Sequence, residues 1–419
     1  MSFLLPESLT ESRCRKSGGW LLAVLAALLF LPGLGTLPVM DRDEPRFAHA
    51  TVEMMERGSW AVPYFNGEYR FDKPPLTYWW MALHYKLLGV SELAARLHSV
   101  LAAWLIALVL REMAARWVNA RAGLLAGVVW LTTFQVFVHG RLAVADMPMV
   151  LFVTLSMWAL MELCSHGGNI AWNRWHWVLY GSLGLGFLAK GPLALIVPGL
   201  ALVMHRYVWW RKPLTFVALK LWPGLLLSFV IVAAWGVPAL METKGLFWKV
   251  GMGEHVVERG TQAFNGRFPV PGYYFATAGL SLFPWLAFLP LVWRQARENW
   301  SERTAWLVSW FSAPYVIFTF YATQLPHYVM PGFPAAALLL VMACERGVAR
   351  YTRWVPGVWL VLSAAALSGA WFVSWPEALG RIIWHAAWLI VAFTAFGMLL
   401  CVAKGRRFAW LALLVVQPL

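Results

Sequence analysis

The chain has 419 residues, of which 60% are hydrophobic and only 13% charged. Soluble domains carry roughly a quarter charged residues, so this chain cannot cover a water-soluble body. Its 28 Trp and 25 Phe exclude a disordered one. The apolar runs are about 20 residues long, not the alternating segments of about 10 that build a barrel. The expected class is an all-α polytopic membrane protein.

The N-terminus carries Arg13, Arg15 and Lys16 ahead of an apolar run from Trp20. That run is long and lacks a small-residue cleavage site, so it reads as an uncleaved first span. Runs able to cross follow at 20–38, 93–110, 122–138, 148–164, 177–189, 192–209, 216–239, 272–292, 304–322, 329–344, 354–374 and 382–402. A thirteenth begins at Phe408 and stops at Leu419, too short to cross, so the last helix is half-inserted or a longer product is cut there. The segment 74–88 is apolar enough to span, but counting it places the basic loops outside. Laid along the membrane surface, with Tyr78, Trp79, Trp80, His84, Tyr85 and Lys86, it suits an interfacial helix.

With that choice, 20 of the 34 basic residues fall inside. They include Arg111/Arg116/Arg121, Arg206/Arg211/Lys212/Lys220 and Lys404/Arg406/Arg407. The net charge of +14 is then a topology signal, and no nucleic-acid partner is needed. The N-terminus is expected in the cytoplasm. Cys14, Cys164, Cys344 and Cys401 show no metal spacing and none lies outside, so no disulfide is expected. The whole of 1–419 reads as one transmembrane domain with two long outer loops, 39–92 and 240–271. Connecting loops are usually short, so long charged loops point to a site on that face.

The first loop opens Asp41-Arg42-Asp43-Glu44-Pro45-Arg46. Pro45 suits a first helical turn with Asp43 as N-cap, the helix running to about Arg57. Asp43 is then either a cap only or an ionisable group at a membrane site. Lys73, just before the surface helix, is a snorkelling lysine or an anion ligand. Asp146 sits between two spans, where Arg141 is one partner available to it. Lys190 lies where Gly191-Pro192 breaks a helix, and uncompensated it would cost roughly 3 kcal/mol, so it needs an anionic partner such as a phosphate. His255 and Arg259 share a helical face in the second loop. His327 and Tyr328 open a span at Pro326, as cavity lining or as interface anchors.

These carboxylates and cations gather at the outer face, at headgroup level, where cations suit a lipid phosphate and a carboxylate can serve as a base. No phosphate-binding loop, metalloprotease or hydrolase motif appears. ATP is absent on that side in bacteria, so a reaction there needs a donor already activated in the membrane.

The run DEPRFA (43–48) followed by WAVPYFNGEYRFDKPPLTYW (60–79) resembles the first outer loop of GT-C glycosyltransferases. The nearest resemblance is to the bacterial lipid A aminoarabinose transferases and the protein O-mannosyltransferase branch. GRLAVADMP, FLAKGP, EHVVER and QLPHYVMP follow in that family's order, and the similarity covers about 20–345.

The resemblance implies a GT-C bundle of about 12–13 transmembrane helices with juxtamembrane helices in the first loop. It implies a polyprenyl-phosphate sugar donor and inverting transfer at the periplasmic face of the bacterial inner membrane. The acceptor it implies is lipid A, lipopolysaccharide or another envelope glycan. A protein hydroxyl acceptor and a non-catalytic lipid-carrier transporter are the alternatives. By position, Asp43 matches the base or acceptor-orienting carboxylate and Asp146 the second cavity aspartate. Arg46, Lys73, Lys190, His255, Arg259 and Tyr328 match groups around the carrier phosphate, with Glu44 and His327 beside them. No cofactor is certain. A divalent metal has Asp72, His255 and Asp146 as candidate ligands, without diagnostic spacing. The lipid A enzymes carry a soluble domain after the last helix, for which the chain as given has no counterpart.

Overall fold

The computed structural model describes residues 10–39, 43–166, 168–211, 216–258, 270 and 272–347. The expected spans 354–374 and 382–402, and the run from Phe408, lie outside these residues. What is described is almost wholly helical.

The first helix, α1 (Glu11–Phe30), starts where the Thr10 hydroxyl accepts from the Arg13 amide and ends before Pro32-Gly33. It begins well ahead of the expected apolar run, because its first turns are held by charge: the Glu11 carboxylate accepts the backbone amides of Ala120 and Arg121. The next helix, α2 (Glu44–Arg57), ends at Gly58 in the left-handed conformation. A two-residue hairpin follows, β1 (Tyr64–Phe65) with β2 (Glu68–Tyr69). Asn66 and Gly67 turn it with φ of 55° and 82°, as a primed hairpin turn needs. Glu53 of α2 accepts both turn amides at 2.6 and 3.1 Å, so the hairpin is tied to the helix.

The segment expected at the membrane surface is α3 (Leu76–Leu88), at 13 residues about 20 Å long and too short to cross. Its polarity is turned inside out for a helix in water. Tyr78, His84 and Tyr85 are buried, while Leu83, Leu87 and Leu88 are exposed. An apolar outer face of this kind suits lipid.

The bundle proper comprises α4 (Glu92–Trp117), α5 (Ala120–Leu131), α6 (Phe134–His139), α7 (Asp146–Cys164), α8 (Arg174–Lys190), α9 (Leu193–Met204) and α10 (Leu221–Glu242). It continues with α11 (Tyr273–Ser281), α12 (Leu289–Glu298), α13 (Glu302–Thr319) and α14 (Phe333–Gly347). Polar caps set several starts: Ser91 for α4, Asn119 for α5, Ser301 for α13, and for α8 a reciprocal box between Asn173 and His176. Among the described residues four stretches are long and apolar enough to cross a membrane: 92–117, 146–164, 216–242 and 326–345.

Two expected spans are broken. The run 122–138 splits into α5 and α6, because Thr132 and Thr133 bond back to the Val128 and Val129 carbonyls and the Phe134 amide turns to Phe283 of a distant segment. The run 272–292 divides at Phe283-Pro284 into α11, a 3-10 turn Trp285–Phe288 and the start of α12.

Helix α7 is the hub, packed on α4, α8 and α9. In its apolar stretch 78% of residues are buried, against 22% in the stretch 216–242, which puts α10 at the rim. The basic groups collect at one end of the bundle, where Arg111 reaches the Arg15 carbonyl and Arg303 lies over Trp117. The expected site residues collect at the other.

Candidate functional site

Helix α2 begins at the site end with two neighbouring carboxylates in opposite situations. Asp43 holds the N-cap position but its side chain makes no capping bond. Its carboxylate is 59% exposed and 4.0 Å from Arg46 Nη1. Glu44 is fully buried. Its Oε1 accepts from Arg96 Nε at 2.9 Å and the Ala143 amide at 2.7 Å, and its Oε2 from Arg96 Nη2 at 2.9 Å. Arg96 also donates to the carbonyls of Leu34, Leu37 and Pro38. Glu44, expected to touch substrate, therefore instead locks α2 to α4 and to the linker before α7. Three accepted hydrogen bonds and complete burial commit this carboxylate to the fold.

A second cluster links this helix to the loop before α3. Arg70, buried, donates to the Tyr78 hydroxyl at 2.9 Å and pairs with Asp72 at 3.1 Å. Burial opposes the Arg70 charge, but Tyr78, Asp72 and Asp43 together hold its pKa above the usual value. Burial pushes Tyr78 up to about 12, so its hydroxyl stays protonated. Asp72, a weak metal candidate by sequence, is committed to Arg70.

Next to Asp72 is Lys73, whose ammonium bonds the Asp72 carbonyl at 3.0 Å. Lys73 lines a cavity of about 380 Å³, within the size range of small-ligand sites. Lys190 lines it as well. Helix α8 ends at this residue because Gly191 adopts φ 89° and Pro192 follows, which delivers the lysine to the cavity. The Lys190 ammonium is 5.7 Å from the centre of the Tyr328 ring, which also faces the cavity. The remaining wall is apolar: Phe187, Ile196, Phe229, Val237, Trp248 and Phe318. Ile196, Phe229, Val237 and Trp248 are exposed on the outer surface as well. Two cations thus sit at one side of a space whose other side is greasy and open outward.

Asp146 opens α7 and is the counter-ion of Lys190, at 2.5 Å. Arg141, the partner nearest in sequence, turns away to the Leu29 and Pro32 carbonyls at 3.0 and 2.6 Å. His327, from the 3-10 turn Pro326–Gly332, comes within 3.8 Å of the same Asp146 oxygen. His139, the last residue of α6, stacks beside it with ring centres 4.7 Å apart. Among the described residues, His139, Asp146 and His327 are the group with metal-ligand atoms close together, all within 4.8 Å.

The structure therefore brings Lys73, Lys190 and Tyr328 to one cavity, with Asp146 and His327 grouped behind Lys190. Asp43 and Arg46 do not line it and connect to it through Arg70. Asp41 and Arg259 lie outside the described residues. His255 lies in the π-helical segment Phe247–Glu258, and its side chain also lies outside them. Sequence reading missed His139 and Arg70. Arg70 stands three residues before Lys73 and His139 seven before Asp146, so proximity to the charged motifs was the available signal.

A family model described as dolichyl-phosphate-mannose-protein mannosyltransferase matches residues 72–237. The chain is 28% identical over 400 residues to an undecaprenyl phosphate-alpha-4-amino-4-deoxy-L-arabinose arabinosyl transferase of Aeromonas salmonicida, covering 89% of this chain and 71% of that protein. It is 30% identical over 348 residues to the protein of that name from Edwardsiella ictaluri, covering 79% and 60%. In fold it is similar to the crystal structure of ArnT from Cupriavidus metallidurans bound to undecaprenyl phosphate. The TM-score is 0.82 at 22% identity, over 96% of this chain and 76% of that one.

Proposed function

We propose that the chain is a membrane glycosyltransferase of the GT-C type, as the family model and the curated relatives support, and that it moves a sugar from a polyprenyl-phosphate carrier to lipid A, lipopolysaccharide or another envelope glycan, at the periplasmic face of the bacterial inner membrane. The observation that carries this reading is the two-sided cavity. Lys73 and Lys190 supply cations for a phosphate, and the apolar flank from α9 and α10 supplies a surface for a prenyl chain. The donor named for the curated relatives, an undecaprenyl phosphate sugar, has the same two parts. The periplasmic side is supported by charge: the end opposite the cavity holds Arg15, Arg111 and Arg303, and basic ends face the cytoplasm. The loops 39–92 and 240–271 then supply the outer-face residues.

The reaction is a displacement at the anomeric carbon. The C–O bond to the carrier phosphate breaks while the acceptor oxygen attacks from the opposite face, with inversion. Negative charge grows on the departing phosphate, and preorganised cations are worth most where charge develops. Lys73 faces that position directly. Lys190 is held by Asp146 at the rim of the same space, and Arg46 adds to the positive field. Asp43, exposed and next to Arg46, takes the acceptor proton if the acceptor is a hydroxyl. For a phosphate acceptor, already ionised, it only orients.

The test uses purified protein and a Lys73→Ala variant, each incubated with membrane lipid extract, followed by mass spectrometry of the lipids. The expected result is free polyprenyl phosphate with one new glycosylated lipid, both lost in the variant. Carrier lipid that co-purifies and never reacts, with candidate acceptors supplied, overturns the reading. A glycosylated protein in place of a lipid moves the acceptor to a protein hydroxyl.

A further inference from the structure

We propose that His139, Asp146 and His327 form a zinc-type divalent metal site in which the ion replaces the Lys190 ammonium as the partner of Asp146. The three residues come from three separate elements, the end of α6, the start of α7 and the 3-10 turn before α14. Their candidate ligand atoms converge to within 4.8 Å, and His327 Nε2 stands 3.8 Å from Asp146 Oδ1. A tetrahedral ion with bonds of about 2.0–2.1 Å sets its ligands about 3.4 Å apart, so closure needs a contraction of about an ångström, within the reach of side-chain rotation. Two imidazoles and one carboxylate are a donor set that zinc and similar ions accept, and three protein ligands leave a fourth position open.

The surroundings of His139 fit such a role. Its Nδ1 lies 2.9 Å from the Gln135 amide, and that amide lies 3.2 Å from the Ser281 hydroxyl. With the amide oxygen towards the ring, His139 Nδ1–H donates to it and the amide nitrogen donates to Ser281. Which end of a terminal amide is oxygen follows from the hydrogen-bond network, so either orientation is compatible with the same heavy-atom positions. An outer partner that fixes the tautomer of a ligating histidine is a usual accompaniment of metal sites. All four residues, Gln135, His139, Asp146 and Ser281, are buried.

Lys190 is the competitor. Its ammonium already satisfies Asp146 at 2.5 Å. An ion of charge +2 at the three ligands takes over that carboxylate and releases the ammonium towards the cavity that Lys190 lines. This follows from the geometry alone and does not depend on which sugar or acceptor is used.

The test is made on the full chain, purified in detergent and stripped with a chelator. Zinc is titrated by calorimetry, and cobalt is added separately to read its visible absorption. The expected result is one zinc per chain and a tetrahedral cobalt spectrum. Affinity should fall at least tenfold in His139→Ala and in His327→Ala, and 10–100-fold in Gln135→Leu, the usual cost of losing an outer-shell partner. Lys190→Met removes the competitor and is expected to bind zinc at least tenfold more tightly, a gain that misfolding cannot mimic. Substoichiometric zinc in the parent protein, histidine variants that bind as the parent does, or no gain in Lys190→Met would each overturn the proposal.

Discussion

Two buried pairs of opposite charge join helices at the site end of the bundle, and they are built differently. In the pair of Glu44 with Arg96, all five guanidinium N–H groups have acceptors, two on the carboxylate and three on the carbonyls of Leu34, Leu37 and Pro38. In the pair of Asp146 with Lys190, the ammonium has three donors, and among the described residues Asp146 is its hydrogen-bond acceptor. The first pair is closed to any newcomer. The second borders a cavity, carries two histidines beside its carboxylate, and can change partners. Saturation marks the pair that holds the fold, and unspent donors mark the pair proposed to act on the carrier.

The comparison is broken most directly at Arg96. Arg96→Met strands the Glu44 carboxylate and three carbonyls, so the folded state should lose about 3–5 kcal/mol. The check is thermal unfolding in detergent, with a sharply lower midpoint or no monodisperse protein expected. The neutral double replacement Asp146→Asn with Lys190→Met leaves no uncompensated charge. It should fold with a near-parental midpoint while sugar transfer falls by about 10²–10³, the cost of one preorganised charge-stabilising group. A double variant that neither folds nor binds lipid would put this pair in the same class as Glu44 with Arg96.

Asp43→Asn is expected to lower turnover by about 10² with a hydroxyl acceptor, at the low end for a general base, and to leave binding of the carrier unchanged. Unchanged turnover would remove the base role. The smallest effect is expected of Tyr328→Leu, which deletes the ring beside the Lys190 ammonium. A cation–π contact is worth about 0.5–1 kcal/mol, so carrier affinity should fall two- to fivefold.

Much of the frame was legible in the amino-acid order, for a physical reason in each case. The helix 44–57 showed in its Pro45, which suits a first helical turn. That 74–88 is no span showed in the imbalance of basic loops that counting it creates, and the helix found there, Leu76–Leu88, is too short to cross. Lys190 showed because a charge at a Gly-Pro break demands a partner. The partner itself was less legible, since Arg141 is five residues from Asp146 and Lys190 is 44 away. The break between α5 and α6 was hidden because hydropathy reads Thr132 and Thr133 as neutral, whereas their hydroxyls and the Phe283 carbonyl decide it. The role of Glu44 was misread for a similar reason. Five charges in six residues signal a site, but which of them is sealed by Arg96, 52 residues on, is a property of packing. His139 and His327 are 188 positions apart, and no local pattern joins them.

The loosely packed α10 has one more consequence. Its outer face carries Trp222, Leu226, Phe229 and Val237 in the open, and Phe229 and Val237 also border the cavity. The entrance therefore faces sideways, into the plane of the bilayer, not up into water. On the proposed function, a carrier lipid reaches this entrance by two-dimensional diffusion within the bilayer, past α10. The concentration that governs saturation is then the mole fraction of carrier among its neighbouring lipids. Diluting the proteoliposomes tenfold in buffer should leave the rate per enzyme unchanged, and diluting the carrier tenfold in inert phospholipid should not.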